Sequence, residues 1–401
     1  ACFHLTGNPV AVGRLDQLLI DFYKNDNISE ESAQEIIEAF WIKLGEKALH
    51  NRHYATDHVS YGTTAVSYIG GNFPQGGGIN QWVQQLTVGG SLPTTGKKPK
   101  PGANAITMMA LKASRRLPLN APCLSLRIYK GMDKALLEEA AKAILSGGAH
   151  PILFQEERMI KGLHEFSGLP LEAARDFASD GCYEPMVAGQ TEFCFSNVTP
   201  LDAVECALNQ GAKYSMSGPI YLRGWKSSFR SPHASEIKSF AEFQTIFLKH
   251  LEWFIVQFFN NTLMNYGNLW KICPSPMLST LIEGCVESGR DLTNGGAKYH
   301  IIAPMFVGMA TTIDSLYAIK KLVFDDTAVC TLPELLDCLS NDWGYGMQEP
   351  SHSTLEGKTR IAVQAKQYEQ WRAIALQLPK FGNGHAEADK IGTWLSGKMC
   401  D

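Results

Sequence analysis

The residues best suited to chemistry lie in one short segment, Gly181-Cys182-Tyr183-Glu184-Pro185, which sets a thiol and a carboxylate two residues apart. A turn bounded by Gly181 and Pro185 can aim both side chains into a cavity, an arrangement that suits hydrogen removal beside proton transfer. The four-residue pattern is weak by itself. Gly284-Cys285-Val286-Glu287 repeats it at the end of a helical segment, before Ser288-Gly289-Arg290-Asp291. There Cys285 reads as structural, since a lone cysteine is most often a packed core residue. His50, His53 and His58 lack the i, i+4 pairing of a helical metal site, and the Gly- and Tyr-rich sequence after them argues for a loop. They read as ordinary histidines, and no metal site is expected. The ten cysteines include no Cys-x-x-Cys pair, so neither a disulfide scaffold nor a zinc or thioredoxin-type site is expected. Most should be reduced and buried.

The elements that must position Cys182 and Glu184 alternate between short strands and helices, which implies an α/β fold. Helical spacing of Ile36, Ile37, Phe40, Trp41 and Leu44 predicts a helix over 32–49, with Ser32 and Glu35 as its capping box. Helices follow over 108–116, 134–145 and 171–178, the last running directly into the Cys182 turn, with strands over 124–129 and 151–154. Beyond the turn, helices are predicted over 199–209, 239–266, 277–288, 309–322, 333–341 and 358–378. The longest opens on a Ser239/Glu242 capping box, and its stripe Phe243, Phe247, Leu251, Phe254 and Phe258 reads as core packing. A Gly- and Tyr-rich loop over 54–80 and a Gly-, Pro- and Lys-rich loop over 89–101 interrupt the pattern.

Composition narrows the function. The 401 residues carry 36 basic and 40 acidic side chains, a formal charge of -4, with 45% hydrophobic and 19% charged residues. Nothing in that balance forms an electrostatic footprint for nucleic acid or an anionic membrane, so small-molecule chemistry is the better default. No eighteen-residue apolar run and no basic n-region followed by an apolar h-region appear, so neither a transmembrane helix nor a signal peptide is expected. The chain opens without methionine and reads as a fragment or a processed chain.

The order of further segments carries a resemblance. Gly13-Arg14-Leu15-Asp16-Gln17, Leu86-Thr87-Val88-Gly89-Gly90, Asn104-Ala105-Ile106-Thr107, Pro122-Cys123-Leu124-Ser125-Leu126-Arg127 and Gly147-Gly148-Ala149-His150-Pro151 precede Cys182. Gly289-Arg290-Asp291-Leu292-Thr293-Asn294-Gly295-Gly296-Ala297, Asp314-Ser315-Leu316 and Pro379-Lys380-Phe381-Gly382-Asn383 follow it. In that order the chain resembles the middle of a glycyl radical enzyme of the pyruvate formate-lyase-like family. The resemblance implies a ten-stranded α/β barrel, here partial, with residues 1–401 as the central part of the barrel domain and the C-terminal glycyl radical domain absent.

By the same resemblance Cys182 becomes the thiyl radical that takes hydrogen from a small organic substrate. Glu184 is the general base or acid, with a backbone-capping carboxylate as the rival reading, and Pro185 shapes the turn. The radical glycine should lie in Arg-Val-x-Gly-Tyr; the nearest look-alike, Trp343-Gly344-Tyr345, lacks the Arg-Val lead. This chain alone is therefore expected to be inactive. Gly181 before Cys182 disfavours a pyruvate formate-lyase-like acyltransferase, which places two cysteines side by side. Glu184 points to an eliminating or decarboxylating lyase. Diol dehydratases carry His-Ser and Asp where Asn8-Pro9 and Ser196 stand here, so Asn8 and Ser196 are the substrate-binding candidates, and glycerol or propanediol dehydration is disfavoured. The alternative is a non-catalytic scaffold or a truncated fragment. The implied partners are an activating enzyme that uses S-adenosylmethionine and an iron–sulfur cluster, and a second copy or a complementary chain with the radical glycine. No cofactor is expected on this chain itself, and its place would be an anaerobic cytoplasm.

Overall fold

The computed structural model describes residues 10–45, 84–119, 121–147, 150–180, 184–213, 227–345 and 355–400. The loop over 54–80 and the three histidines lie outside them. Two compact units emerge, one of Ala1–Phe193 with Leu269–Ile301, the other of Cys194–Asn268 with Ile302–Asp401.

In the first unit four parallel strands, β1 (Val10–Arg14), β2 (Gln84–Gly89), β3 (Cys123–Ile128) and β4 (Ile152–Gln155), form a sheet in the order β1-β2-β3-β4. Crossover helices α1 (Leu15–Asn25), α2 (Glu30–Gly45), α3 (Ala105–Arg116) and α4 (Lys134–Leu145) lie between them in sequence. The period of two along a strand divides the sheet into unlike faces. Leu86, Val88, Leu124 and Leu126 pack with Trp41 of α2 and Met109 of α3 into one apolar core. Gln85, Thr87, Ser125 and Arg127 alternate with them on the opposite face and are fully buried. No closed barrel forms among the described residues.

That polar face is covered by a hairpin. After α5 (Leu171–Arg175), β5 (Ala178–Asp180) pairs antiparallel with β6 (Glu184–Met186), and Ser179 stands opposite Pro185. Further on, β7 (Thr191–Val198) pairs with β8 (Tyr299–Phe306). Besides most of that pair, the second unit holds the helices α6 (Pro200–Leu208), α7 (Phe240–Ile272, which ends in the first unit), α8 (Met309–Ile319), α9 (Leu332–Ser340), α10 (Leu355–Gln377) and α11 (Ala386–Cys400). The aromatic stripe of α7 is core, as expected. Phe243, Phe247, Leu251 and Phe258 are buried, with Phe254 packed against them. No helix among the described residues is long and apolar enough to cross a membrane.

Four expectations change. The helix predicted over 32–49 starts at Glu30, because Ser29 Oγ rather than Ser32 takes the cap, accepting from Ser32 N at 3.1 Å. The helix predicted over 171–178 stops at Arg175; β5 follows, pairing with β6, and its Ser179 N donates to Thr87 Oγ1 of the sheet rather than back into a helix. Pro185 lies in β6 rather than in the turn; β5 and β6 form a two-stranded sheet, in which a proline without N–H is tolerated. The helix predicted over 277–288 breaks into Pro276–Ser279 and Cys285–Ser288. Gly284 between them takes φ +98°, and a Cβ there would lie 2.7 Å from the Gly296 carbonyl oxygen, so no helix can pass through it.

The two-faced sheet makes a testable statement. Leu124→Ala should cost about 2–5 kcal/mol of unfolding free energy by denaturant titration. The exposed Leu145→Ala should stay within about 0.5 kcal/mol. Equal effects would mean that Leu124 is not part of a packed core.

Candidate active site

Ligands of parallel α/β sheets bind at the carboxyl ends of the strands, and here those ends converge on the hairpin that leads to and from Cys182. A bulge begins the arrangement. Ala11 pairs with Gln85 but Gly13 pairs with Leu86, so β1 holds one extra residue, and Gly13 takes φ +88°. Without the bulge Arg14 would share the helix side with Val12. With it, Arg14 pairs with Thr87 and reaches the polar face. There its Nη2 donates to the carbonyls of Gly89 at 3.0 Å and Ser91 at 2.8 Å, and its Nη1 pairs with Asp176 at 3.0 Å.

Arg127, at the end of β3, has no exposed surface. Its Nη1 donates to the Phe177 carbonyl and its Nη2 to the Arg175 carbonyl, both at 2.7 Å, and its guanidinium lies 4.0 Å from the centre of the Phe177 ring. Burial, and then the Arg14 charge, push Arg127 down to about 9 despite Glu156 and Asp176, so it keeps its proton at neutral pH. Arg175 donates in turn to the carbonyls of Thr94, Gly96 and Lys97. Glu156 accepts from Ser91 N at 2.8 Å and from Ser91 Oγ, and stands 3.7 Å from Arg127 Nη2. Between these groups a Cβ on Gly90 would lie 2.5 Å from Arg127 Nε, so only glycine fits.

A second set of bonds ties the strand ends to the helices. Asp16 Oδ2 accepts from Gly89 N at 2.6 Å and from Thr107 Oγ1 at 2.7 Å. Burial raises the Asp16 carboxyl, and those hydrogen bonds with the Arg14 charge oppose the rise. Asn104 caps α3 and donates to the Asp16 carbonyl at 3.1 Å, while Gln17 donates to the Gly102 carbonyl at 2.7 Å. Much of the residue order that carried the resemblance is thus one bonded scaffold at the strand ends.

The candidate residues divide. Glu184 is 5% exposed and opens β6 opposite Asp180. Cys182 lies among the three residues between them, outside the described residues, as does Asn8. Ser196 belongs to β7, and its side chain is outside what is described. Sequence reasoning left Arg14 and Arg127 without roles, although both stand at the ends of strands within segments that carried the resemblance. Cys285 is buried and burial raises its thiol, in keeping with a structural role. Burial pushes Cys206, Cys330 and Cys338 up to about 12, whereas Cys273 and Cys400 are exposed. Among the described residues no group of three His, Cys, Asp or Glu side chains could hold a metal.

Asp291, of the Gly289–Ala297 segment, anchors its loop. It accepts from Ser275 N at 2.7 Å, Ser279 Oγ at 3.2 Å, Thr293 N at 2.9 Å and Thr293 Oγ1 at 2.6 Å.

Comparison with known proteins places this geometry. The model of the pyruvate formate lyase-like family matches residues 1–401. The (2S)-3-sulfopropanediol dehydratase of Klebsiella oxytoca is 28% identical over 347 residues, covering 84% of this chain and 38% of that protein. An isethionate sulfite-lyase of Bilophila wadsworthia is 27% identical over 402 residues, covering 97% of this chain and 42% of the relative. The glycerol-bound B12-independent glycerol dehydratase from Clostridium butyricum superposes with a TM-score of 0.69 at 28% identity, over 98% of this chain and 44% of that one. The chain therefore spans about two fifths of the length of the curated relatives it matches.

The bonds to Asp291 set a pH dependence. Burial raises its carboxyl, but the hydrogen bonds from Thr293, Ser275 and Ser279 outweigh burial and hold it below its ordinary 3.8. A lowered acid contributes stability above the unfolded value and loses it as pH falls through the folded one. Asp291→Ala should therefore melt below the wild type at pH 7, with the gap narrowing below about pH 4. A gap that is constant with pH in calorimetry would rule this linkage out.

Proposed function

The chain belongs to the pyruvate formate lyase-like family of glycyl radical enzymes, and from that premise we propose that it supplies the cysteine-bearing part of a glycyl radical lyase. The carrying observation is the β5–β6 hairpin, which lies on the polar face of the sheet and opens its second strand with the buried carboxylate of Glu184. A buried, positioned carboxylate next to a cysteine suits coupled hydrogen and proton transfer.

In this reading Cys182 passes its thiol hydrogen to the radical glycine and takes a hydrogen atom from a substrate carbon. After the leaving group departs from the neighbouring carbon, Cys182 returns the hydrogen to the product radical. Glu184 moves the proton that the elimination requires, giving it to a departing hydroxyl or taking it from a neighbouring one. The substrate is a small organic molecule that loses water, sulfite or carbon dioxide, chemistries named for the relatives (2S)-3-sulfopropanediol dehydratase, isethionate sulfite-lyase and indoleacetate decarboxylase. Asn8 and Ser196 are the substrate contacts in this reading.

The radical glycine comes from sequence outside these 401 residues or from a partner chain, since Arg-Val-x-Gly-Tyr does not occur within them. An activating enzyme with S-adenosylmethionine and an iron–sulfur cluster installs the radical, in an oxygen-free cytoplasm.

The test begins with the native protein purified without oxygen, activated, and offered isethionate, (2S)-3-sulfopropanediol, trans-4-hydroxy-L-proline and indoleacetate in turn. Cys182→Ala should abolish turnover while the glycyl radical signal persists in electron paramagnetic resonance, and Glu184→Gln should lower kcat by about 10²–10⁴. Turnover that survives Cys182→Ala sinks the mechanism. Absence of any radical-bearing chain, in the same polypeptide or co-purifying, moves the protein to the scaffold reading.

A further inference from the structure

We propose that Thr87 is a positioning residue, whose hydroxyl sets the placement of the β5–β6 hairpin and through it of Glu184. This rests on the radical-lyase reading of that same hairpin. Strands of three residues each form no independently stable pair, so their position must come from what they are bonded to. The middle residue of β5 makes that bond. Ser179 N donates to Thr87 Oγ1 at 2.9 Å, the two hydroxyls lie 2.9 Å apart, and Ser179 Oγ donates to Ser125 Oγ at 2.8 Å. With the Ser179 hydroxyl hydrogen committed to Ser125, the Thr87 hydroxyl donates to Ser179 Oγ while accepting from Ser179 N. The chain of three hydroxyls therefore has one direction, and all three residues are buried. Buried bonds ordered in this way reinforce one another.

The two ends of the link differ in rigidity. Thr87 belongs to β2, which is laddered on one side to β1 and on the other to β3. Ser179 faces Pro185, the residue after Glu184. Arg127 grips the same segment from Phe177 and Arg175, upstream of β5. The hairpin is thus fixed to the sheet ahead of β5 by Arg127 and at its centre by Thr87. A catalytic carboxylate carried on such a strand is sensitive to displacements well below an ångström.

The experiment compares Thr87→Val, which keeps the shape and removes the hydroxyl, with Thr87→Ser, which keeps the hydroxyl and removes the methyl. Amide exchange at Ser179, followed by mass spectrometry on the full protein, needs no substrate. In Thr87→Val it should rise about tenfold, the loss of one buried hydrogen bond, with Thr87→Ser near the wild type. In the activated protein, with whichever compound of the set above reacts, Thr87→Val should lower kcat about tenfold or more with KM unchanged, and Thr87→Ser should restore it. Wild-type exchange and kcat in Thr87→Val would overturn the proposal, as would Thr87→Ser impaired as much as Thr87→Val. If the activated wild type turns over nothing, the radical-lyase reading fails by itself, and unchanged Ser179 exchange in Thr87→Val still refutes the anchor. Should Thr87→Val not fold, Ser125→Ala removes the far end of the chain, and a wild-type Ser179 exchange rate there overturns the ordered hydroxyl link.

Discussion

The arrangement at the strand ends depends on one constraint, the burial of a polar sheet face. Among the described residues, helices pack on the apolar side of the β1-β2-β3-β4 sheet, and the other side carries Gln85, Thr87, Ser125 and Arg127 with no access to solvent. Groups of that kind cost about 1–3 kcal/mol each when left without a partner. Here Arg127 donates to main-chain carbonyls on the covering segment, and Thr87 and Ser125 bond to Ser179. Arg14, Arg127 and Arg175 donate to carbonyls spread over residues 89–97 and 175–177, so the cover is stitched down by its own backbone.

Two consequences follow for local structure. The helix entering this region ends at Arg175, and the Ser179 N–H that a longer helix would turn back to the Arg175 carbonyl donates to Thr87 Oγ1 instead. Short extended strands become the available alternative, and β5 and β6 take it. The arginines must also be accommodated, which explains two glycines: Gly13 in the bulge that turns Arg14 towards the polar face, and Gly90, where any side chain would strike Arg127 and Glu156. Arginine serves here where lysine could not, since one planar guanidinium reaches two carbonyls at once.

The same constraint separates structure from chemistry within the family pattern. Asp16, Asn104 and Thr107 hold strand ends to helix starts, and Asp291 gathers four donors in its own loop. These are scaffold roles. Glu184 lies apart from them, buried at the start of the short covering strand β6. The second unit contributes a core built on the aromatic face of α7, where Phe243, Phe247 and Leu251 repeat with helical spacing.

Much of this protein was legible in its residues. Apolar spacing identified the long helix and its core face, because a helix of that length repeats its pattern many times over. Membership of the pyruvate formate lyase-like family was legible because the order of short segments survives in the chain itself. The strands β1 and β2 were not, since a strand with one polar buried face reads like a loop: Gln84-Gln85-Leu86-Thr87-Val88-Gly89 shows only two apolar side chains. Nor could spacing show that Arg14 and Arg127 meet at the carbonyl of Arg175, residues 161 and 48 positions away. Local sequence determines periodicity and turn chemistry. Only the folded sheet decides which polar groups are buried together, and burial is what turns those arginines and hydroxyls from surface residues into the anchors of the site.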